Sequence, residues 1–192
     1  MALYYLELGC NVVIAGRTVS KCVFTFFGIG LIIFFAKRLE ESINIFKSKK
    51  LSENKFAMVQ CDAAVQNDCK HLIEQTVAKF GQIDVLTLNH AWGRVQLFAD
   101  VTEDKLDSCF YDTYESNVKG NMYLIHYALP QLRKTHGKIL YVSSMSAYYG
   151  VPKLSFYSST KYAMHSFLNC IRIEEASKQS GVQVTIAAPG RC

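Results

Sequence analysis

Phe24-Thr25-Phe26-Phe27-Gly28-Ile29-Gly30-Leu31-Ile32-Ile33-Phe34-Phe35 is the most apolar run of the chain. Three readings compete for it. Gly28-Ile29-Gly30 has the look of a glycine-rich nucleotide loop, with "CVFTFF" as the strand before it and "LIIFFAKRLEE" as the helix after it. The offset is wrong, however, because Phe24 occupies the place of the loop's first glycine four positions earlier. A membrane span is the second reading. The apolar stretch from Cys22 to Ala36 is about fifteen residues long, and a spanning helix needs roughly 20. The third reading is an insertion. Excising residues 22–35 joins "AGRTVSK" almost directly to "AKRLEE", which leaves an ordinary strand–loop–helix connection. A retained intron read in frame would account for such a run, and contact with a membrane surface stays open.

Outward from this run the sequence alternates short apolar strands with amphipathic helices. Upstream, "MALYYLEL" reads as a helix end stopped by Gly9, and "NVVIA" (11–15) as a buried strand stopped at Gly16-Arg17. Downstream, 36–48 has apolar residues at helical spacing and 55–60 reads as a strand closed by Cys61-Asp62. A helix over 67–80 ends at Gly81, and a strand follows over 83–89. A long helical stretch covers 103–133, a strand 138–144, a helix 157–179 stopped by Gly181, and a last strand 182–188. This order predicts an α/β fold, doubly wound, with a parallel sheet and helices on both faces. Ligands of such sheets lie at the carboxyl ends of the strands. The residues to examine are therefore Arg17, Asp62, Asn89 to Trp92, Ser143-Ser144 and Pro189-Gly190.

With 192 residues the chain suffices for one domain, read as 1–192 with an apolar insertion at about 22–35. Half the residues are hydrophobic, which argues against disorder. The net charge of +5 is spread along the chain, with one local cluster at Lys47, Lys49 and Lys50, and nothing in it has the pattern of a nucleic-acid site. The seven cysteines (Cys10, Cys22, Cys61, Cys69, Cys109, Cys170, Cys192) are odd in number and form no C-x-x-C pair. That argues against a disulfide framework and against a metal site, and for free thiols.

One constellation carries chemistry. Asn117 precedes Ser144 by 27 positions, Ser144 precedes Tyr157 by 13, and Tyr157 precedes Lys161 by four in "YSSTK". One helical turn puts Tyr157 and Lys161 on the same face. Hydride exchange at a carbonyl needs a proton donor or acceptor at the carbonyl oxygen. A tyrosine hydroxyl titrates near ~10, too high to serve well at neutral pH, and a neighbouring cation favours the phenolate. A serine hydroxyl steadies charge on the oxygen, and an amide holds a relay water. Each residue also has a plainer use: Ser144 as a turn or cap residue, Tyr157 and Lys161 as surface, Arg17 as a solvated side chain. His90 is open to two readings, lining a cofactor or simply packed. His126, His136 and His165 read as structural or exposed. Trp92, Val95, Leu97 and Phe98 read either as a substrate mouth or as a loop covering the core.

These residues, with "ILYVSS", "YSSTKYA" and "AAPGR" around them, resemble the short-chain dehydrogenases/reductases. "MALYYLELGCNVVIAGR", "IDVLTLNHA" and "ALPQLRKTHGKILYVSS" look most like the 11β-hydroxysteroid dehydrogenase branch. The resemblance implies an NADP(H)-dependent oxidoreductase acting on a lipophilic carbonyl or alcohol, NAD being disfavoured by the lack of an acid beside Arg17. It implies Asn117, Ser144, Tyr157 and Lys161 as catalytic residues. Cofactor contacts are implied for Arg17 (2′-phosphate), Asp62 (adenine), Asn89, Tyr157, Lys161, Pro189 and Gly190. Asn89 sits in Leu88-Asn89-His90-Ala91, a departure from the family's N-N-A-G. A homodimer is implied, with membrane-surface, endoplasmic-reticulum or cytoplasmic location. The family's opening strand and its T-G-x-x-x-G-I-G loop are not found, and the chain stops soon after Pro189-Gly190, so the sequence looks truncated at both ends. The expected consequence is a gap between the strands at 11–15 and 83–89, with unsatisfied edges and weakened cofactor binding.

Overall fold

The computed structural model describes residues 2–17, 32–35 and 53–190. The helix expected over 36–48 and the glycines of the run lie outside the described residues. The expected architecture is observed: a parallel sheet with helices on both sides. Helix α1 (Ala2–Glu7) leads into β1 (Val12–Gly16); β2 is Ile32–Phe35 and β3 is Phe56–Gln60. Then follow α2 (Gln66–Phe80), β4 (Val85–Leu88), α3 (Glu103–Tyr114), a π-helical turn (Glu115–Lys119) and α4 (Gly120–Thr135). The chain continues through β5 (Lys138–Val142), α5 (Ser155–Ser177) and β6 (Gln183–Ala187). The helices predicted to stop at Gly9 and Gly81 do so with positive φ at each, whereas the last helix, expected to run to Gln179 and stop at Gly181, ends at Ser177, and Gln179 already takes a positive φ.

The sheet order is β3-β1-β2-β4-β5-β6, with every pairing parallel. All five residues of β1 and all four of β4 are buried, which explains why both read as continuous apolar runs. The gap expected between these two strands is not found. Ile32–Phe35, the end of the opening run, pairs with Val12–Ala15 on one side, and Ile32 and Ile33 pair with Val85 and Leu86 on the other. The reason is the demand of buried backbone for hydrogen-bond partners. The inner sides of β1 and β4 would otherwise carry unpaired N–H and C=O groups, and an apolar segment within reach supplies them.

One glycine matters to the position of the site. A Cβ on Gly120 would stand 2.5 Å from Ala63 O. Only a bare backbone lets the start of α4 press against the loop that follows β3, bringing the π-helical turn close to Asp62.

Candidate active site

The register of the sheet gathers the predicted residues on one rim. Gly16 pairs with Gln60, Leu88 with Tyr141, and Val142 with Ala187. Arg17, Asp62, Asn89, Ser144, Pro189 and Gly190 therefore all leave the sheet at its carboxyl edge. Arg17 is exposed, and its carbonyl accepts a hydrogen bond from Gln60 Nε2 at 3.1 Å. The Asp62 carboxylate accepts from Ala64 N at 3.0 Å, and the Asp62 N–H donates to Asp68 Oδ2 at 2.9 Å, which fixes the turn after β3. Pro189 O accepts from Met145 N at 3.1 Å, so the end of β6 is tied to the turn that starts at Ser144.

Ser144 caps that turn: its Oγ accepts from Ser146 N at 3.2 Å. Burial raises the Tyr157 pKa above its ordinary value, and the Ser144 side chain opposes that rise. Lys161 is 1% exposed. Its Nζ donates to Val142 O at 3.0 Å and lies 4.8 Å from the Tyr141 ring centroid and 5.5 Å from that of Tyr157. Burial lowers its pKa to about 8. The pair expected from "YSSTK" thus shares one face, but here the cation is directed at the strand carbonyl and the phenol's pKa is governed by its own burial.

Asn117 is fully buried within the π-helical turn. Its Oδ1 accepts from Trp92 N at 2.8 Å, and its Nδ2 donates to Trp92 O at 2.7 Å and to Thr160 Oγ1 at 3.1 Å. In this arrangement the amide pins the Trp92 backbone. The next residue, Gly93, lies against the Tyr157 ring: a Cβ there would stand 3.1 Å from Tyr157 Cβ and Cδ2. The π-helical turn has a second consequence. It turns Ser116 O toward His90 Nε2, which donates to it at 2.9 Å. Burial lowers the His90 pKa to about 4, and the charges of Lys161 and Arg17 act in the same direction. His90 is therefore neutral at physiological pH and senses both cations of the rim.

Beside the site, Gln96 N donates to Lys153 O at 3.0 Å, joining the loop after β4 to the segment before α5. Val95 (72% exposed) and Phe98 (60%) face solvent, and Phe98 meets Phe156 with ring centroids 5.8 Å apart. Gly93 carries no signal in the sequence, because its role depends on a contact 64 positions away in the chain. Thr160 and the pairing of Ser143 with His165 carry none either, although His165 shares the helical face of Lys161.

The model of the short chain dehydrogenase family matches residues 16–192, and the chain belongs to that family of oxidoreductases. It is 33% identical over 163 residues to the 11-beta-hydroxysteroid dehydrogenase-like 4A of Arabidopsis thaliana, covering 84% of this chain and 52% of the relative. It is 32% identical over 153 residues to the 11-beta-hydroxysteroid dehydrogenase 1A of the same plant, covering 80% and 42%. The chain thus spans about half the length of the curated relatives it matches. A short-chain dehydrogenase/reductase of unknown function from Caenorhabditis elegans, solved with cofactor, superposes with a TM-score of 0.79 at 25% identity, over 98% of this chain and 63% of that one. A short-chain dehydrogenase from Streptomyces avermitilis has the same fold at 23% identity, with a TM-score of 0.72 over 95% and 66%. Among the described residues no helix is long and apolar enough to cross a membrane.

Proposed function

We propose that this chain carries the active site of an NADP(H)-dependent oxidoreductase that interconverts a carbonyl and a secondary alcohol on a lipophilic, steroid-like molecule. The observation that carries this reading is the buried Lys161 ammonium, 5.5 Å from the Tyr157 ring centroid on the same helix face. When bound, the nicotinamide supplies or accepts the hydride. Tyr157 gives its phenolic proton to the carbonyl oxygen in reduction and takes it back in oxidation. Ser144 hydrogen-bonds that oxygen, so charge developing there meets a fixed dipole. Lys161, its ammonium 5.5 Å from the Tyr157 ring centroid, places positive charge near the phenol and would hold the ribose. Asn117 fixes Trp92 and, through Gly93, the wall against Tyr157. The residues present fit NADP: Arg17 is an exposed cation on the rim, its charge is felt at His90, and no acid follows β1. Asp62 would meet the adenine, and Asn89, Pro189 and Gly190 would line the remaining contact. The exposed Val95, Leu97 and Phe98, the last against Phe156, support a lipophilic substrate.

Turnover is measured at millimolar NADPH with a steroid-like ketone, and Tyr157→Phe lowers it by about 10²- to 10⁴-fold. An undiminished rate in that variant would end the assignment.

A second reading is a non-catalytic member of the family acting through a helix-mediated homodimer. It is favoured by the apolar residues that α3 and α5 leave exposed, among them Phe110, Tyr111 and Tyr162. Association at a membrane surface through residues 22–35 is the third use; it predicts that the intact chain sediments with phospholipid vesicles, and no sedimentation with them would end it.

A further inference from the structure

Two side chains one helical turn apart on α5 grip the end of β5. Lys161 Nζ donates to Val142 O, and His165 Nε2 meets Ser143 Oγ at 2.6 Å. The next residue is Ser144. Ser143 is buried, and its N–H donates to Ala187 O at 2.7 Å, so the residue that carries Ser144 forward is held by β6 on one side and by an imidazole on the other. The His165 ring also meets Tyr148 edge-on, with centroids 5.1 Å apart. Tyr148 ends the short turn that Ser144 opens. His165 therefore touches both ends of the turn that presents the Ser144 hydroxyl.

The protonation state of this ring decides what Ser143 does. A neutral imidazole with its lone pair at Nε2 accepts the Ser143 hydroxyl proton and fixes that rotor. A protonated ring donates instead. The Ser143 proton must then turn elsewhere, and a second cation is set beside Lys161. His165 is half-buried, so solvent protons reach it. The titratable groups that face it are Lys161 on its own helix and Tyr148 on the turn after β5; β5 faces it with Ser143. Burial and the Lys161 charge both lower its pKa from the ordinary value, and no described carboxylate offsets them.

We propose that His165 is a positioning residue of the Ser144–Tyr157–Lys161 site: as a neutral imidazole it holds Ser143, and through it the turn of Ser144, and its protonation turns the site off in acid. The proposal rests on the oxidoreductase reading above. The active form is the deprotonated one. It is populated above the folded-state pKa, which lies below the ordinary histidine value of about 6.5, and it is lost as pH falls through that folded-state value.

The test has two arms. In the first, the five histidines are labelled with ¹⁵N and titrated by NMR, His165 being assigned by its absence in His165→Gln. The expected result is a His165 titration below the ordinary value that moves up in Lys161→Met and also shifts in Ser143→Ala. An ordinary titration that neither variant moves overturns the proposal, with no reference to catalysis. In the second, NADPH-dependent turnover is followed against pH. His165→Ala loses at least about tenfold at neutral pH. His165→Gln, which keeps a hydrogen-bonding group without a titrating charge, recovers most of that loss and lacks the acid limb of the native enzyme. An acid limb shared by His165→Gln and the native chain overturns the proposal. Absence of native turnover at every pH overturns the oxidoreductase reading and the acid switch with it, while the NMR arm still decides separately whether the imidazole is coupled to Lys161.

Discussion

The two halves of the sheet are put together by different means. In the half made of β4, β5 and β6, strands and helices follow one another in the chain, and each strand end delivers a site residue a few positions later. β5 leads directly to Ser144, and Tyr157 and Lys161 come from the helix that follows. In the half made of β3, β1 and β2, the strand between β1 and β4 is a four-residue segment that enters after β1 instead of before it. The first half depends on particular side chains at particular spacings. The second depends on backbone: β1 and β4 need a partner between them, and an apolar run provides one. A sheet slot is thus less selective about sequence than a catalytic face is.

The largest effect that would break this contrast is at β2. Deleting residues 22–35, or placing proline at Ile33, removes or interrupts the strand paired to both β1 and β4. The proline alone withdraws a ladder N–H from an inner strand, where proline is not accommodated. The expected outcome is loss of the cooperative urea transition and of near-ultraviolet circular dichroism. A deletion variant that unfolds cooperatively with undiminished stability would instead favour the reading of 22–35 as a removable insertion.

An intermediate effect is expected in the other half, at the tie between α4 and α5. Arg133 donates to both oxygens of Glu175, whose side chain is fully buried. Arg133→Ala leaves that carboxylate without its main partner. The cost is about 2 kcal/mol in urea unfolding, less than for a fully enclosed pair because Arg133 is open to water on one side. The pH dependence has a definite sign. The Arg133 hydrogen bond, opposed by burial, lowers the Glu175 pKa. Its contribution is therefore complete above the unfolded carboxylate value of about 4.3 and is lost as pH falls through the folded one. Native and variant stabilities should converge in acid, and a difference that persists there would refute the assignment.

The smallest effect sharpens the link between fold and site. Asn117→Ala leaves the Trp92 backbone without its side-chain partner, at a cost of about 1–2 kcal/mol. Trp92 is the sole tryptophan, so its emission reports on the loop directly. A red shift and stronger acrylamide quenching are expected, and unchanged emission would show that the loop is held by other contacts, such as that of Arg94 with Asp112.

Much of the site was legible because the chemistry imposes local spacing. Tyr157 and Lys161 share a face through one helical turn, and Ser144 follows an apolar strand; both are patterns along the chain. Asn117 was legible as a residue but not as a contact, since its partners Trp92 and Thr160 come from other elements. The break of the long helix at 115–119 carries no proline or glycine and depends on tertiary bonds from His90 and Asn117. Lys161 was expected to act on the phenol, yet burial and the Val142 carbonyl determine where its ammonium lies.

From its sequence alone, this protein's parallel α/β class, the alternation of its elements along the chain and its Asn–Ser–Tyr–Lys group followed, because hydrophobic period and helical spacing are local properties. Tertiary structure alone decided what became of "FTFFGIGLIIFF": its last four residues form the strand between β1 and β4. The choice between insertion and strand depends on which backbone edges lack a partner, and that becomes visible only when distant strands are brought side by side.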